Sequence, residues 1–194
     1  MMVISKAAEI DAEQLAALKL RLFRETFLVE FAIPYPARDL VIFEHECYGV
    51  EKVNAELADP SHMTWIARRD GEMVAYVHCG PCKLPHPEVG EDSGELYQIY
   101  LDRSVRGAGL GGRLLGEALD WLAHFYPGPQ WLGVWSGNHR AQAVYRKYGF
   151  RKVGDYQFAV GDWRDEEFIL RRGGAGNKDW GVPHKHEARK KLLF

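Results

Sequence analysis

A glycine-rich segment has the residue types of an anion-binding turn. It runs Arg106-Gly-Ala-Gly-Leu-Gly-Gly112, and Arg103 and Arg113 flank it. It stands between a predicted strand and a predicted helix, where unpaired backbone N–H groups and the positive end of the helix dipole converge. Because glycine has no Cβ, the backbone can approach a diphosphate closely. The segment therefore predicts a diphosphate site; a turn that needs glycine for its dihedral angles alone is the alternative.

Two known nucleotide motifs match this segment only in part. Gly107, Gly109 and Gly112 satisfy G-x-G-x-x-G, but residues 130–136 contain no acidic side chain for a ribose, which is expected about 20 positions later. A P-loop requires Lys and then Ser or Thr after its last glycine, whereas Arg113 and Leu114 follow here. Neither a nicotinamide dinucleotide nor a nucleoside triphosphate is predicted.

A second candidate site is the segment Cys79-Gly-Pro-Cys82, with His78 and His86 nearby. A redox pair of this kind opens a helix whose N-terminus lowers the thiol pKa, but the prolines that follow prevent a helix here. A zinc site is disfavoured because His78 and Cys79, adjacent on a strand, point to opposite faces. We predict no metal site, and redox chemistry is a minor alternative.

The elements that position these residues alternate between strands and helices. Periodicity and turn residues predict strands at 3–6, 64–68, 73–79, 95–101, 131–135, 150–160 and 165–171, and helices at 11–26, 39–48, 50–57, 110–125 and 138–148. Asp70-Gly71 predicts a hairpin, and Gly149 a left-handed helix end. Strand, glycine turn, helix and strand form a crossover unit, so strands 95–101 and 131–135 are predicted to be parallel neighbours. Residues 80–94 are predicted to form a loop.

Length and composition favour one soluble domain. The chain has 194 residues, 3 cysteines and a net charge of −2. It shows no apolar run long enough for a transmembrane helix, no secretory signal and no disulfide framework, so a cytoplasmic location is expected. Residues 1–172 are predicted to form the domain, and 173–194 a Gly-rich linker and short basic tail. That tail either docks on a partner subunit through Trp180 and Phe194 or is disordered, and a homodimer remains open.

Charge is distributed unevenly along the chain. Residues 1–100 have 9 basic and 17 acidic side chains, residues 101–172 have 11 and 8, and residues 173–194 have 5 and 2. Nucleic-acid binding is disfavoured because it requires a basic contact surface. Membrane binding is not predicted either. The split permits two ligands of opposite charge.

Three motifs in register resemble the GNAT superfamily of N-acetyltransferases. Arg106-x-x-Gly109-x-Gly111 resembles its acetyl-CoA diphosphate signature, residues 95–101 resemble the preceding strand, and Asn138-x-x-Ala-x-x-x-Tyr145-x-x-x-Gly-Phe150 resembles the motif that follows. The resemblance covers 95–150, with flanking elements in compatible order over 3–172. It implies a mixed α/β fold with a mostly antiparallel seven-stranded sheet, one parallel pair at the acetyl-CoA site and four to five helices.

The resemblance also implies an activity. Acetyl-CoA is expected to be the cosubstrate, and its acetyl group is expected to pass to a primary amine by direct attack in a ternary complex. Residues 23–27 and 83–87 are similar to a bacterial polyamine acetyltransferase subgroup, which favours a small cationic acceptor. Protein lysine or N-terminal acetylation and a non-catalytic acetyl-CoA-binding module are the alternatives.

Site residues follow from the same resemblance. Tyr145 matches the general acid, and the N–H groups of residues 99–101 would meet carbonyls of the cosubstrate. Asn138 is either a CoA contact or a plain helix cap. The predicted acetyl-CoA-binding residues are Ile99, Tyr100, Leu101, Arg106, Gly107, Ala108, Gly109, Leu110, Gly111, Gly112, Asn138 and Tyr145.

The base is predicted from residue chemistry. The acceptor pocket is predicted from the acidic charge of residues 1–100 and from the resemblance, which implies that the helical region after the first strand covers the acceptor. Strand alternation places Glu95 and Tyr97 on one face and Gln98 on the other. Glu95 is the better base because a carboxylate accepts a proton through water and an amide does not; a solvated edge glutamate is the alternative. The residues predicted to line the pocket are Phe27, Glu30, Phe31, Tyr35, Glu44 and Tyr97. A solvated acidic surface is the alternative to a pocket for a cationic acceptor.

Overall fold

Seven strands form one mixed sheet in the computed structural model, which describes residues 1–173. The strands are β1 (Met2–Lys6), β2 (Met63–Arg69), β3 (Glu72–Pro81), β4 (Gly94–Leu101), β5 (Gln130–Trp135), β6 (Arg151–Val160) and β7 (Trp163–Arg172). Their order is β1-β2-β3-β4-β5-β7-β6. Apart from Gly173, the predicted linker and tail, with Trp180 and Phe194, lie outside the described residues.

Five α-helices connect and cover the strands. They are α1 (Ala12–Phe23), α2 (Ala37–Tyr48), α3 (Val50–Ala58), α4 (Leu110–Phe125) and α5 (His139–Lys147). Helix α4 buries Leu114, Leu115 and Leu122 against one face of the sheet, while α1 and α3 pack on the other. Within residues 1–173, no helix is long and apolar enough to cross a bilayer.

The predicted turns are confirmed at their glycines. Asp70 and Gly71 have φ values of 53° and 93°, as a two-residue turn between twisted strands requires, and β2 pairs antiparallel with β3. Gly149 has a φ of 78° just after the end of α5. These positions are where a left-handed backbone ends one element and redirects the chain.

Strands β4 and β5 form the parallel pair that the crossover unit predicts. They pair only at Gly94 with Gln130 and at Glu95 with Trp131, although both strands continue beyond this point. The other neighbouring pairs are antiparallel. The unpaired ends of β4 and β5 leave a wedge-shaped opening in the sheet.

The helix predicted at 11–26 does not remain a regular α-helix to its end. Regular α-helix stops at Phe23, and a π-helical segment, Arg24–Glu30, continues it. The Phe31 N–H donates to the Thr26 carbonyl at 2.9 Å, an i to i+5 bond that 3.6-residue periodicity does not reveal. The wider turn carries the side chains of this segment to the wedge between β4 and β5.

Candidate active site

The glycine-rich segment forms the turn that opens α4. A short 3₁₀ helix, Arg103–Val105, precedes it, and Gly107 and Gly109 have φ values of 88° and 79°. A side chain at either position would strain the backbone. The first amides of α4 have no acceptor within the helix, so the turn presents free N–H groups.

A cavity of about 370 Å³ lies beside this turn; we call it the glycine-turn cavity. Its lining includes Ile99, Tyr100, Leu101, Arg106, Gly107, Gly109, Gly111, Gly112, Asn138 and Tyr145. Ala108 does not line it, and the Leu110 side chain is buried in the core instead. The structure thus gathers ten of the twelve predicted acetyl-CoA-binding residues around one cavity.

Cationic groups of this cavity lie beside one acid. Glu30 accepts from Arg103 Nε at 2.7 Å and from Arg106 Nη1 at 2.6 Å. Partial burial opposes ionisation of Glu30, but the hydrogen bonds from the two guanidinium groups outweigh it and lower the pKa of this carboxyl. Arg140 also lines the cavity. Glu30, predicted to contact the acceptor, instead lies at the glycine turn.

A second cavity, of about 260 Å³, lies on the other side of Tyr145; we call it the carboxylate cavity. Its acidic lining residues are Glu95, Asp165 and Glu167, and no Lys, Arg or His from the described part of the chain lines it. Its remaining wall is largely aromatic and includes Phe23, Phe27, Tyr35, Phe43, Tyr48, Trp135, Tyr156 and Phe158. Such a lining complements an organic cation.

Tyr145 lies where the two cavities meet, since it lines both. Burial raises its pKa, and the nearby Glu167 carboxylate raises it further. The phenol therefore keeps its proton at neutral pH and is able to donate it. Asn138 also lines both cavities, and its side chain caps α5 by accepting from the Ala141 N–H at 3.0 Å.

Glu95 is 7% exposed and lies at the closed end of the wedge, where β4 and β5 pair. Burial raises its pKa to about 7, although hydrogen bonds from the Lys83 N–H, at 2.8 Å, and the Cys82 thiol oppose this. The proline-rich loop between β3 and β4 supplies both of these donors. Glu95 is therefore a fixed carboxylate rather than a solvated edge residue.

A β-bulge overturns the expected alternation in β4. Cys79 pairs with Leu96 and His78 with Gln98, so Tyr97 is the extra residue and the face pattern shifts after it. Glu95, Tyr97 and Gln98 all line the carboxylate cavity. Placing Gln98 on the opposite face was wrong, because period-2 reasoning assumes an unbroken strand.

Two acids on β7, the buried Asp165 and the half-buried Glu167, line the carboxylate cavity without having been predicted from the sequence. Asp165 accepts from the Tyr35 hydroxyl and from Trp163 Nε1 at 2.9 Å. Glu167 accepts from the Tyr156 hydroxyl at 2.5 Å. Burial raises the pKa of Glu167 to about 7, against the effect of the Tyr156 hydrogen bond. The signal was available, because alternation places both acids on the same strand face as the apolar Ile169.

The other predicted acceptor residues divide among three places. Phe27, Tyr35 and Tyr97 line the carboxylate cavity, and Phe31 lines the glycine-turn cavity. Glu44 lies outside both lining sets and accepts from Arg24 Nε at 2.6 Å.

The Cys79–Cys82 segment has no redox or metal geometry in the described residues. Cys79 is on β3 with its side chain in the core, and no helix follows Cys82. Burial raises the pKa of both thiols, that of Cys82 to about 12, which suppresses the reactive thiolate. Residues 1–173 contain no group of three or more His, Cys, Asp or Glu side chains that could hold a metal ion.

Comparison with known proteins identifies the family. The model of the acetyltransferase (GNAT) family matches residues 21–150, about two thirds of the chain. The chain belongs to the GNAT family. It is accordingly an N-acetyltransferase, an acyltransferase that uses acetyl-CoA.

Individual relatives agree with this membership. An uncharacterized N-acetyltransferase of Lactobacillus delbrueckii subsp. lactis is 27% identical over 87% of this chain and 95% of its own length. The N-alpha-acetyltransferase RimI of Mycobacterium tuberculosis is 37% identical over 52% of this chain and 60% of its own. These relatives do not confirm the finer resemblance to polyamine acetyltransferases.

A solved structure confirms the fold. PaiA N-acetyltransferase from Thermoplasma acidophilum, solved in complex with coenzyme A, superposes with a TM-score of 0.69 at 19% identity. The match covers 89% of this chain and 99% of that protein. The seven-stranded GNAT architecture expected from the motifs is therefore confirmed.

Proposed function

We propose that this GNAT enzyme acetylates a small cationic primary amine, such as a polyamine, by direct attack in a ternary complex. The carboxylate cavity is the observation that supports this acceptor class. Three carboxylates and many aromatic rings line it, no basic side chain of residues 1–173 does, and it joins the glycine-turn cavity at Tyr145. A cation entering it would gain both ion pairing and contact with aromatic faces.

The residues around the glycine-turn cavity fit acetyl-CoA. Free amides at the start of α4 and the Arg106 guanidinium would hold the diphosphate, and backbone groups of residues 99–101 would meet the pantetheine and acetyl carbonyls. Acetyl-CoA supplies the acetyl group as a thioester. The shared wall at Tyr145 would direct that thioester toward the carboxylate cavity.

Acetyl transfer to an ammonium group requires two proton movements by this chain's residues. An alkylammonium has a pKa near 10, so a base must remove a proton before the nitrogen attacks. Glu95, the base predicted from the sequence, has a pKa suited to accept a proton near neutral pH. Tyr145 would protonate the departing thiolate.

A second acceptor class, a protein N-terminus, is favoured by one comparison. The match to RimI, named an N-alpha-acetyltransferase, spans about half of this chain. A peptide N-terminus is also a primary amine and would use the same proton transfers. The π-helical segment, whose Phe27 lines the carboxylate cavity, would then help to determine which peptides enter.

An acceptor panel tests the proposal directly. Initial rates of CoA release would be measured with spermidine, with tryptamine as a monoamine of similar size, and with a short peptide beginning with alanine. We expect kcat/KM for spermidine to exceed that for tryptamine at least tenfold. Equal values would contradict the polycation preference, and a dominant peptide rate would favour the N-terminal alternative.

A further inference from the structure

Glu167 is a half-buried carboxylate that the proposed mechanism leaves unused. It lies on β7 opposite Trp135 of β5 and Tyr156 of β6, and it faces the carboxylate cavity. Its Oε2 atom accepts from the Tyr156 hydroxyl, and no other side-chain hydrogen bond to this carboxylate is found in residues 1–173. Oε1 therefore remains available to a ligand in the cavity.

A glycine on the neighbouring strand makes room for this carboxylate. A Cβ at Gly133 of β5 would lie 2.4 Å from the Tyr156 hydroxyl oxygen and 2.8 Å from Glu167 Oε2. No side chain heavier than hydrogen fits there without displacing the pair. The sequence of β5 thus keeps open the space that the hydrogen-bonded Glu167 and Tyr156 occupy.

Glu167 lies farther toward the open end of the wedge than Glu95. It pairs with Trp135 at the end of β5, whereas Glu95 pairs with Trp131, four residues earlier on the same strand. The charge of Glu167 also raises the pKa of Tyr145, the residue at the junction of the cavities. Glu95 lies where β4 and β5 are still paired and is already held by Lys83 and Cys82. The two carboxylates therefore occupy different depths of one cavity.

Resting on the proposed function, we propose that Glu167 is a catalytic residue that takes the proton from the acceptor's ammonium group, while Glu95 binds a second positive charge farther along the acceptor. This moves the proton-accepting role from Glu95, where the proposed function placed it, to Glu167, and it leaves the reaction and the acceptor class of the proposed function unchanged. Within that class, the preferred acceptor is then a diamine or polyamine, since one carboxylate serves each nitrogen.

Protons and bonds balance in this scheme. The ammonium gives one proton to Glu167, and the neutral nitrogen forms its bond to the acetyl carbon as the carbon–sulfur bond breaks. Tyr145 protonates the sulfur and regains a proton from the nitrogen as the amide forms. Glu167 releases its proton to solvent, so the products are an amide, a thiol and one proton.

Ionisable groups on several neighbouring elements interact electrostatically with Glu167. They are Tyr156 on β6, Asp165 on β7, Glu95 and Tyr100 on β4, Tyr145 on α5 and Tyr35 before α2. Because the carboxylates interact, the pH profile reports the cluster rather than one residue. Variants are therefore required to assign each rise or fall of the pH–rate profile to a residue.

The test compares Glu167→Gln with Glu166→Gln, whose exposed carboxylate bonds Gln157 instead of facing the cavity. With spermidine at pH 7, we expect Glu167→Gln to lower kcat about 100-fold, as loss of a general base does, and Glu166→Gln to stay within twofold. The KM for acetyl-CoA should be unchanged. Activity of Glu167→Gln should keep rising to pH 9, where the free amine becomes more abundant, while the wild-type rate levels off above pH 7.

Further variants separate the possible failures. Glu167→Ala should regain activity with added formate, and Glu95→Gln should mainly raise the KM for spermidine. Two results would overturn this inference alone, provided that the wild type is active. One is an unimpaired Glu167→Gln variant. The other is a rate that no longer falls at acidic pH in Glu95→Gln but still does so in Glu167→Gln. If the wild-type enzyme acetylates no amine of the panel, the proposed function fails and this inference fails with it.

Discussion

Burial raises the pKa of the acids and of the phenol of the site, with different consequences for each. It raises the pKa of Glu95 and Glu167 to about 7, so each carboxylate can gain or lose a proton near neutral pH. It also raises the pKa of Tyr145, which keeps that phenol protonated. One aromatic enclosure therefore provides both a proton acceptor and a proton donor.

Replacing Tyr145 by Phe removes the proposed donor with little change in volume. We expect kcat to fall about 100-fold because the thiolate leaves unprotonated, with little change in the KM for acetyl-CoA. The matched control is Tyr126→Phe, whose hydroxyl donates to the Ser61 carbonyl outside both cavities. Steady-state rates at saturating acetyl-CoA make the comparison; unchanged turnover in Tyr145→Phe would remove its role.

At the scale of elements, irregularities in otherwise regular strands and helices shape the site. Strands β4 and β5 separate after two residue pairs, a bulge at Tyr97 turns Gln98 toward the cavity, and Arg24–Glu30 widens into a π-helix. Each feature opens space or redirects a side chain at the junction of sheet and helices. Regular elements alone would leave no cavity between β4 and β5.

Gly133→Ala tests how closely β5 is fitted to the carboxylate. The added methyl group would contact the Tyr156 hydroxyl and Glu167 Oε2 at distances that force both to move. We expect kcat to fall at least tenfold. Gly116→Ala on α4, where a Cβ meets no heavy atom within 4 Å, is the control and should stabilise the protein by about 0.5–1 kcal/mol.

Activity assays and urea unfolding of the two alanine variants decide the outcome. A Gly133→Ala enzyme with wild-type kcat would show that the Glu167–Tyr156 arrangement tolerates displacement.

Sequence patterns predicted the regular parts of the fold and only some of the site. All seven strands and the parallel β4–β5 pair were expected, because alternation, the Asp70-Gly71 turn and the glycine segment are local signals. The bulge and the π-helix were not, since each inserts a residue that shifts periodicity without a distinctive sequence. Glu44 lies outside the lining of both cavities and pairs with Arg24, a contact that depends on how α2 packs and that the sequence does not reveal.

At the scale of the whole molecule, the acids of the site make the stability of the fold depend on pH. For Glu167 the pKa rises from its usual 4.5 to about 7 on folding, so the folded state prefers the protonated form. The contribution of protonated Glu167 to the free energy of unfolding is fully present below pH 4.5 and is lost as pH rises through 7. Glu95 behaves in the same way.

Glu167→Gln should therefore stabilise the protein at alkaline pH. We expect the unfolding free energy of Glu167→Gln, measured relative to wild type, to be about 1–3 kcal/mol more favourable at pH 8 than at pH 5. The reason is that the amide is never ionised, whereas the carboxylate of the wild type ionises over this range. Glu166→Gln, at an exposed position, should show no such pH-dependent gain. Urea unfolding at the two pH values measures this. If the unfolding free energies of both variants changed by the same amount from pH 5 to pH 8, a raised pKa for Glu167 would be contradicted.

Calorimetric titration with acetyl-CoA and, in parallel, with S-acetylpantetheine, which lacks the diphosphate and the nucleoside attached to it, tests the glycine-turn site most directly. If the amides and Arg106 at the glycine turn hold the diphosphate, acetyl-CoA should bind with a Kd between about 1 µM and 1 mM, and the truncated thioester at least 100-fold more weakly. Absence of acetyl-CoA binding, or equal affinity for the two thioesters, would contradict a diphosphate site at the glycine turn.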